Sequence, residues 1–165
     1  MVYLTQKYMG VLMKMILIVV LSLLAQLSFA RDEYQVGVEF GTQTGISGKV
    51  ELGKNRAVDG LLAYSLARDL ELEFHSDYLI ENLHSFNINA PNPLELYLGI
   101  GARFATIGRG SHDGDIAIGP RTPVGVMYKM SNPNLEFFGE LAMAFDIIPY
   151  SNVDLEAGLG VRYRF

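Results

Sequence analysis

Two His-Ser neighbours, His75-Ser76 and His84-Ser85, pair the residue types of nucleophilic acyl chemistry, an imidazole base beside a hydroxyl. That chemistry needs the two side chains about 2.6–3.2 Å apart. Adjacent residues on a strand point to opposite faces, so a strand through 75–76 sends His75 one way and Ser76 the other. His75 is therefore expected to join a polar network, not a catalytic pair. Ser111-His112-Asp113-Gly114-Asp115 offers carboxylates to a cation but lacks the acidic spacing and distal Glu of a calcium loop. It reads as a solvated loop tip. Gly99-Ile100-Gly101 and Gly158-Leu159-Gly160 have no helix after them, so neither is a dinucleotide fingerprint. Gly48-Lys49 lacks the leading Gly and following Ser or Thr of a phosphate-binding loop. With no Cys in the chain, thiolate metal sites, disulfides and Cys nucleophiles are excluded. No catalytic, cofactor-binding or metal-ligating residue is assigned, and the chain is expected not to be an enzyme.

The elements that would position these residues fit into 165 residues, enough for one domain. Thirteen basic against 18 acidic residues leave a net charge of −5, without the basic stripe that phosphate-backbone binding requires. Nucleic acid is not an expected partner. At the N-terminus Lys7 and Lys14 precede an apolar run, Met15 to Leu27, and Ser28-Phe29-Ala30 places small residues at −3 and −1 of a cleavage point. The run is shorter than the roughly 18 residues of a spanning helix. Residues 1–30 are thus expected to be a signal peptide and 31–165 an exported domain; without Lys7 and Lys14 that domain carries a net charge of −7.

From Tyr34 onward, apolar residues recur at alternate positions in stretches broken by Gly, Pro, Asn and Asp, the pattern of strands and turns. The stretches begin Tyr34-x-Val36-x-Val38-x-Phe40 and end Leu155-x-Ala157-x-Leu159-x-Val161-x-Tyr163-x-Phe165. Eight such strands fill the chain, the fourth over 70–80 and the sixth interrupted by Pro120. Charges such as Glu39, Lys49, Asp59, Glu73, Asp77, Arg103, Arg121, Glu140 and Arg162 lie on the opposite face, and none lies on the apolar one. Alternation alone fits both a soluble barrel, apolar inside, and a membrane barrel, apolar outside.

Three features favour the membrane barrel. The polar face interleaves Gly37, Gly99, Gly101, Gly125, Gly158 and Gly160 with long charged side chains, as a narrow packed interior requires. Aromatic residues gather near the strand ends, Phe40, Tyr64, Phe104 and Phe145 at one rim and Tyr34, Tyr78, Tyr128, Tyr163 and Phe165 at the other. The alternating final strand with terminal Phe165 resembles the C-terminal assembly signal of bacterial outer-membrane barrels. Eight strands leave an interior just wide enough for side chains, so an ion-pair network is expected instead of a pore. The polar face holds twice as many acids as bases, which calls for protonation or exposure near the rims. The topology puts loops 42–45, 67–69, 105–115 and 146–152 outside and turns 53–57, 81–93 and 131–134 in the periplasm; the long 81–93 segment departs from the usual short periplasmic turns.

The segments TGISGKVELGKNRAVDGLLAYSL (44–66), LELYLGIGARF (94–104) and those spanning 119–165, with Arg121-x-Pro123-Val124-Gly125 and Asp146-Ile147-Ile148-Pro149, resemble a family of small bacterial outer-membrane β-barrels carrying a domain of unknown function. The resemblance implies an eight-stranded antiparallel up-and-down barrel of the OmpA-like and OmpX-like class, with no family active site to carry over. The expected protein is a monomeric integral outer-membrane barrel of envelope-structural or surface-interaction role. Its expected partners are outer-membrane lipid, the barrel assembly machinery through Phe165, and an extracellular partner at the loops. Two alternatives stand beside it: a soluble exported barrel enclosing an apolar ligand, and a lipid A-modifying outer-membrane enzyme.

Overall fold

Strands with one apolar and one charged face must present one of them to solvent, and curvature of the sheet decides which. The computed structural model describes residues 33–64, 70–107, 115–149 and 151–165. The expected signal peptide, the 67–69 loop and the Ser111–Gly114 tip lie outside the described residues. Eight strands follow in order: β1 (Tyr34–Gly41), β2 (Thr44–Glu51), β3 (Arg56–Tyr64), β4 (Leu70–Phe86), β5 (Leu94–Ile107), β6 (Ile116–Ser131), β7 (Asn134–Asp146) and β8 (Asn152–Arg164). Each pairs antiparallel with its neighbour in sequence, and β1 pairs with β8 from Gln35↔Arg164 to Gly41↔Gly158. The result is the expected closed, all-β, up-and-down barrel of eight strands.

Side chains alternate across the wall as the pleat dictates, and the apolar set faces out. Leu155 and Leu159 are each 70 % exposed and Leu141 63 %, whereas Arg103 and Glu136 are 0 % exposed. This inverts the order of a water-soluble barrel, in which such side chains gain about 1.5–3 kcal/mol each by burial. An enclosed apolar ligand is therefore contradicted by orientation: Leu98 and Leu141 face outward, and Glu140 and Arg162 inward.

Three boundaries differ from expectation. β4 does not stop at Ile80 but runs to Phe86, pairing His84↔Leu96 and Phe86↔Leu94. Between Ile80↔Leu98 and His84↔Leu96, β4 spends four steps where β5 spends two, so a wide bulge forms at Glu81, Asn82 and Leu83. Asn82 takes φ 53° there, a left-handed conformation that Asn tolerates, and the Glu81 amide donates to the Asn55 carbonyl at 2.9 Å. Two extra residues leave the inside–outside parity unchanged, but Asn82 and Leu83 place a polar and an apolar side chain against the alternation, so the period-two pattern predicts a strand end at Ile80. The remaining connection is 87–93, and residues 82–91 are exposed. At the other end β5 continues to Ile107, burying Ala105 and Ile107 against Ala117. Pro120 does not interrupt β6; it sits opposite Ala102 within one strand of unchanged register.

The inward glycines make room for large neighbours. A Cβ on Gly125 would overlap the Tyr97 ring, and one on Gly160 would overlap Phe138. Gly48, facing outward, would place a Cβ 3.8 Å from the nearest atom, the Gln35 carbonyl oxygen. Gly125→Val is thus expected to lower stability by about 1–3 kcal/mol through overpacking. Gly48→Ala should be neutral or gain up to about 1 kcal/mol. Urea unfolding of the two variants in lipid vesicles, against the parent, checks the contrast.

Candidate functional site in the barrel lumen

Every second residue of each strand enters the lumen, so the site is assembled from all around the wall. β4 alone contributes Glu73, His75, Asp77 and Glu81, each no more than 2 % exposed. The lumen cations are each met by carboxylates from other strands. Arg121 of β6 uses all three guanidinium nitrogens: Nη1 donates to Asp77, Nη2 to Glu140 at 2.6 Å and Nε to Glu156 at 2.7 Å. Arg103 of β5 donates through Nη1 to Glu156 at 2.6 Å and through Nη2 to Asp146 at 2.6 Å and Asp154 at 2.8 Å. Glu156 therefore joins the two arginines.

Nearer the chain termini, Arg162 of β8 donates to Ser47 Oγ at 2.9 Å, Asp59 at 2.9 Å and Glu136 at 3.3 Å, with its guanidinium 3.9 Å from the centre of the Phe138 ring. Lys49 Nζ reaches Glu136 at 2.7 Å and Glu81 at 2.5 Å. Lys129 Nζ holds Glu81 at 2.9 Å and Glu51 at 3.0 Å. Its ammonium is thus engaged in the network. Ala57, Leu79, Tyr97, Met127 and Phe138 form a buried apolar cluster in the same lumen, and Tyr97 donates its hydroxyl to Glu140 at 2.7 Å. Sequence reading found the inward charges but not this cluster, whose signal was apolar residues at polar-face positions.

Neither His-Ser neighbour assembles. His75 points into the lumen while Ser76 Oγ donates to the Asp59 carbonyl at 3.0 Å along the wall. His84 packs edge-on against Phe86 with ring centres 4.6 Å apart, and Ser85 Oγ donates to Asn82 Oδ1 at 2.6 Å. The Arg-x-Pro-Val-Gly and Asp-Ile-Ile-Pro pieces serve packing and closure. Arg121 enters the network, Gly125 clears Tyr97, Asp146 accepts from Arg103, and the Ile147 amide donates to the Ile118 carbonyl at 2.8 Å.

No family model matches the chain, and no curated protein matches it. Among solved structures it is similar to Neisserial surface protein A, at 18% identity and a TM-score of 0.42, over 81% of this chain and 94% of that one. A likeness of that size transfers no site and no activity.

Truncating Arg121 leaves buried Asp77 without its guanidinium and takes one donor each from Glu140 and Glu156, which keep Tyr97 and Arg103, and breaking a buried ion pair from one side costs about 3–5 kcal/mol. Arg121→Ala is expected to lose that much in urea unfolding from vesicles. Unchanged stability would mean that the network carries no folding energy.

Proposed function

We propose that this chain is a monomeric, non-catalytic barrel integral to a bacterial outer membrane. In this reading the leader is cleaved after Ala30, both termini of the barrel lie in the periplasm, and the rigid body presents its opposite loops at the cell surface. The observation that carries the reading is the inversion of the wall, with Leu98, Ile100, Leu141 and Leu159 outside and the ionic network sealed within. Lipid supplies no hydrogen bonds, and a closed ladder leaves no strand edge unpaired. The packed lumen argues for an envelope-structural or surface-interaction role and against diffusion of solutes through it. β8 closes the sheet against β1, with the Phe165 amide donating to the Tyr34 carbonyl at 2.9 Å and the Phe165 ring edge-on to Tyr163. That exposed aromatic end suits capture by an assembly machinery that delivers the last strand first.

Fractionation of cells expressing the full chain, followed by electrophoresis with and without boiling, tests this. Outer-membrane residence with a heat-dependent mobility shift is expected. Release as a soluble protein on osmotic shock would overturn it. A second measurement concerns depth: Leu98, paired with Ile80 and Val124, is 48 % exposed on the outer wall. Leu98→Arg should cost about 2–4 kcal/mol in vesicles if it meets the bilayer midplane. Insertion with undiminished stability would put this position outside the hydrocarbon.

A further inference from the structure

Among the described residues, the two arginine centres gather six carboxylates, Glu73, Asp77, Glu140, Asp146, Asp154 and Glu156, around two guanidinium groups. His75 lies in the middle of this acidic surplus. It is 2 % exposed, and its Nδ1 makes no hydrogen bond. Nδ1 is 3.8 Å from Glu73 Oε1, and Nε2 is 3.8 Å from Asp77 Oδ2. Both gaps exceed a hydrogen bond. Glu73 Oε2 and Asp77 Oδ1, on side chains equally buried, are also without a hydrogen-bond partner.

Burying such atoms unpaired is costly, so something should fill the space between them. One ligand atom each from Glu73, His75 and Glu156 lies within 4.8 Å of the others. Two ligands of one tetrahedral zinc ion, at bonds of about 2.0–2.1 Å, stand about 3.4 Å apart, so the 3.8 Å between Nδ1 and Glu73 has to close by only about 0.4 Å on binding. We propose that Glu73, His75 and Glu156 bind one divalent transition-metal ion of the zinc class inside the barrel, tying β4 to β8 across the lumen.

The rest of the geometry fits that role. Imidazole with carboxylates selects zinc-class ions over magnesium or calcium, which prefer all-oxygen sites. Gln43 Nε2 donates to Glu73 Oε1 at 2.5 Å, and Arg103 and Arg121 each hold one oxygen of Glu156. Such hydrogen bonds behind the ligands are what fixes carboxylates for an ion. The dication answers a surplus of carboxylates that the two arginines leave unbalanced. Asp154, beside Arg103, has a side chain 19 % exposed, so the cluster extends to the rim.

The test uses the full chain without an affinity tag, extracted in detergent in its heat-shifting folded form and stripped with a chelator. Zinc titration by calorimetry should give one equivalent that excess calcium does not displace, and cobalt in its place should give the visible absorption of a low-symmetry site with a nitrogen ligand. His75→Gln and Glu73→Gln, each checked for the heat-dependent shift, should bind zinc at least about tenfold more weakly. Glu95→Gln, near Lys129 at the other end of the lumen, should bind as the parent does. If His75→Gln fails to fold, Glu73→Gln and the cobalt spectrum decide. The proposal is overturned if the folded parent takes up no zinc, which would assign the space to water, if calcium competes equally, or if the folded variants bind undiminished.

Discussion

The ladder between β1 and β8 is the constraint on which everything else depends. An open sheet edge exposes a row of amide and carbonyl groups, and an apolar surrounding offers them nothing. Closure pairs them all, but closure at eight strands also sets the bore, which is too narrow for bulk water and wide enough only for side chains. The inward residues must therefore satisfy one another. Charges that would be ordinary on a soluble surface become members of a packed interior with exact partners.

The network meets that demand by sharing. Glu156 serves Arg103 and Arg121, Glu136 serves Lys49 and Arg162, and Glu81 serves Lys49 and Lys129. Arg121–Glu140 and Arg162–Glu136 join adjacent strands, but Arg103, Arg121, Arg162, Lys49 and Lys129 each also reach a carboxylate on a strand that is not a neighbour, so these ion pairs cross the bore and reinforce the wall from within. Apolar filling supplements them where ions are sparse: Leu79, Tyr97, Met127 and Phe138 interdigitate, and Gly125 and Gly160 yield the volume their rings occupy. Ion pairs of this kind add little net stability over a well-packed apolar interior. What they do fix is register, because a one-residue slip of any strand would swap its charged face for its apolar one.

Much of this was legible in the residue pattern. Alternation located all eight strands, their polar faces and the glycines among them, because a wall one residue thick imposes period two with few exceptions. It failed where the backbone departs from that period. The bulge at Glu81–Leu83 inserts two extra residues opposite β5, and its Asn82 and Leu83 run against the alternation and mask the end of β4. Pairing among the charges was not legible either. Arg121 and Asp77 are separated by 44 residues and meet only after closure and register have been set. The same holds for His75, whose surroundings come from β4, β7 and β8 together. Its neighbours Glu73 and Asp77 on alternate positions of one strand were visible in sequence, but Glu140 and Glu156 were not visibly adjacent to them.

The wall is not of even height. β1 and β2 run for 8 residues each, whereas β4 runs for 17 and β6 for 16. At a rise of ~3.4 Å and a tilt of ~45°, eight residues cover only about 19 Å along the barrel axis, short of the roughly 25 Å apolar band of outer-membrane barrels. A bilayer meeting this cylinder must pinch on the side of the closing seam and relax on the side of β4 and β6, or the cylinder must lean. In the proposed membrane setting, a barrel that does not lean would compress the lipids beside β1 and β2 relative to those opposite. It would then act as a wedge, with a thin sector of membrane next to the first two strands.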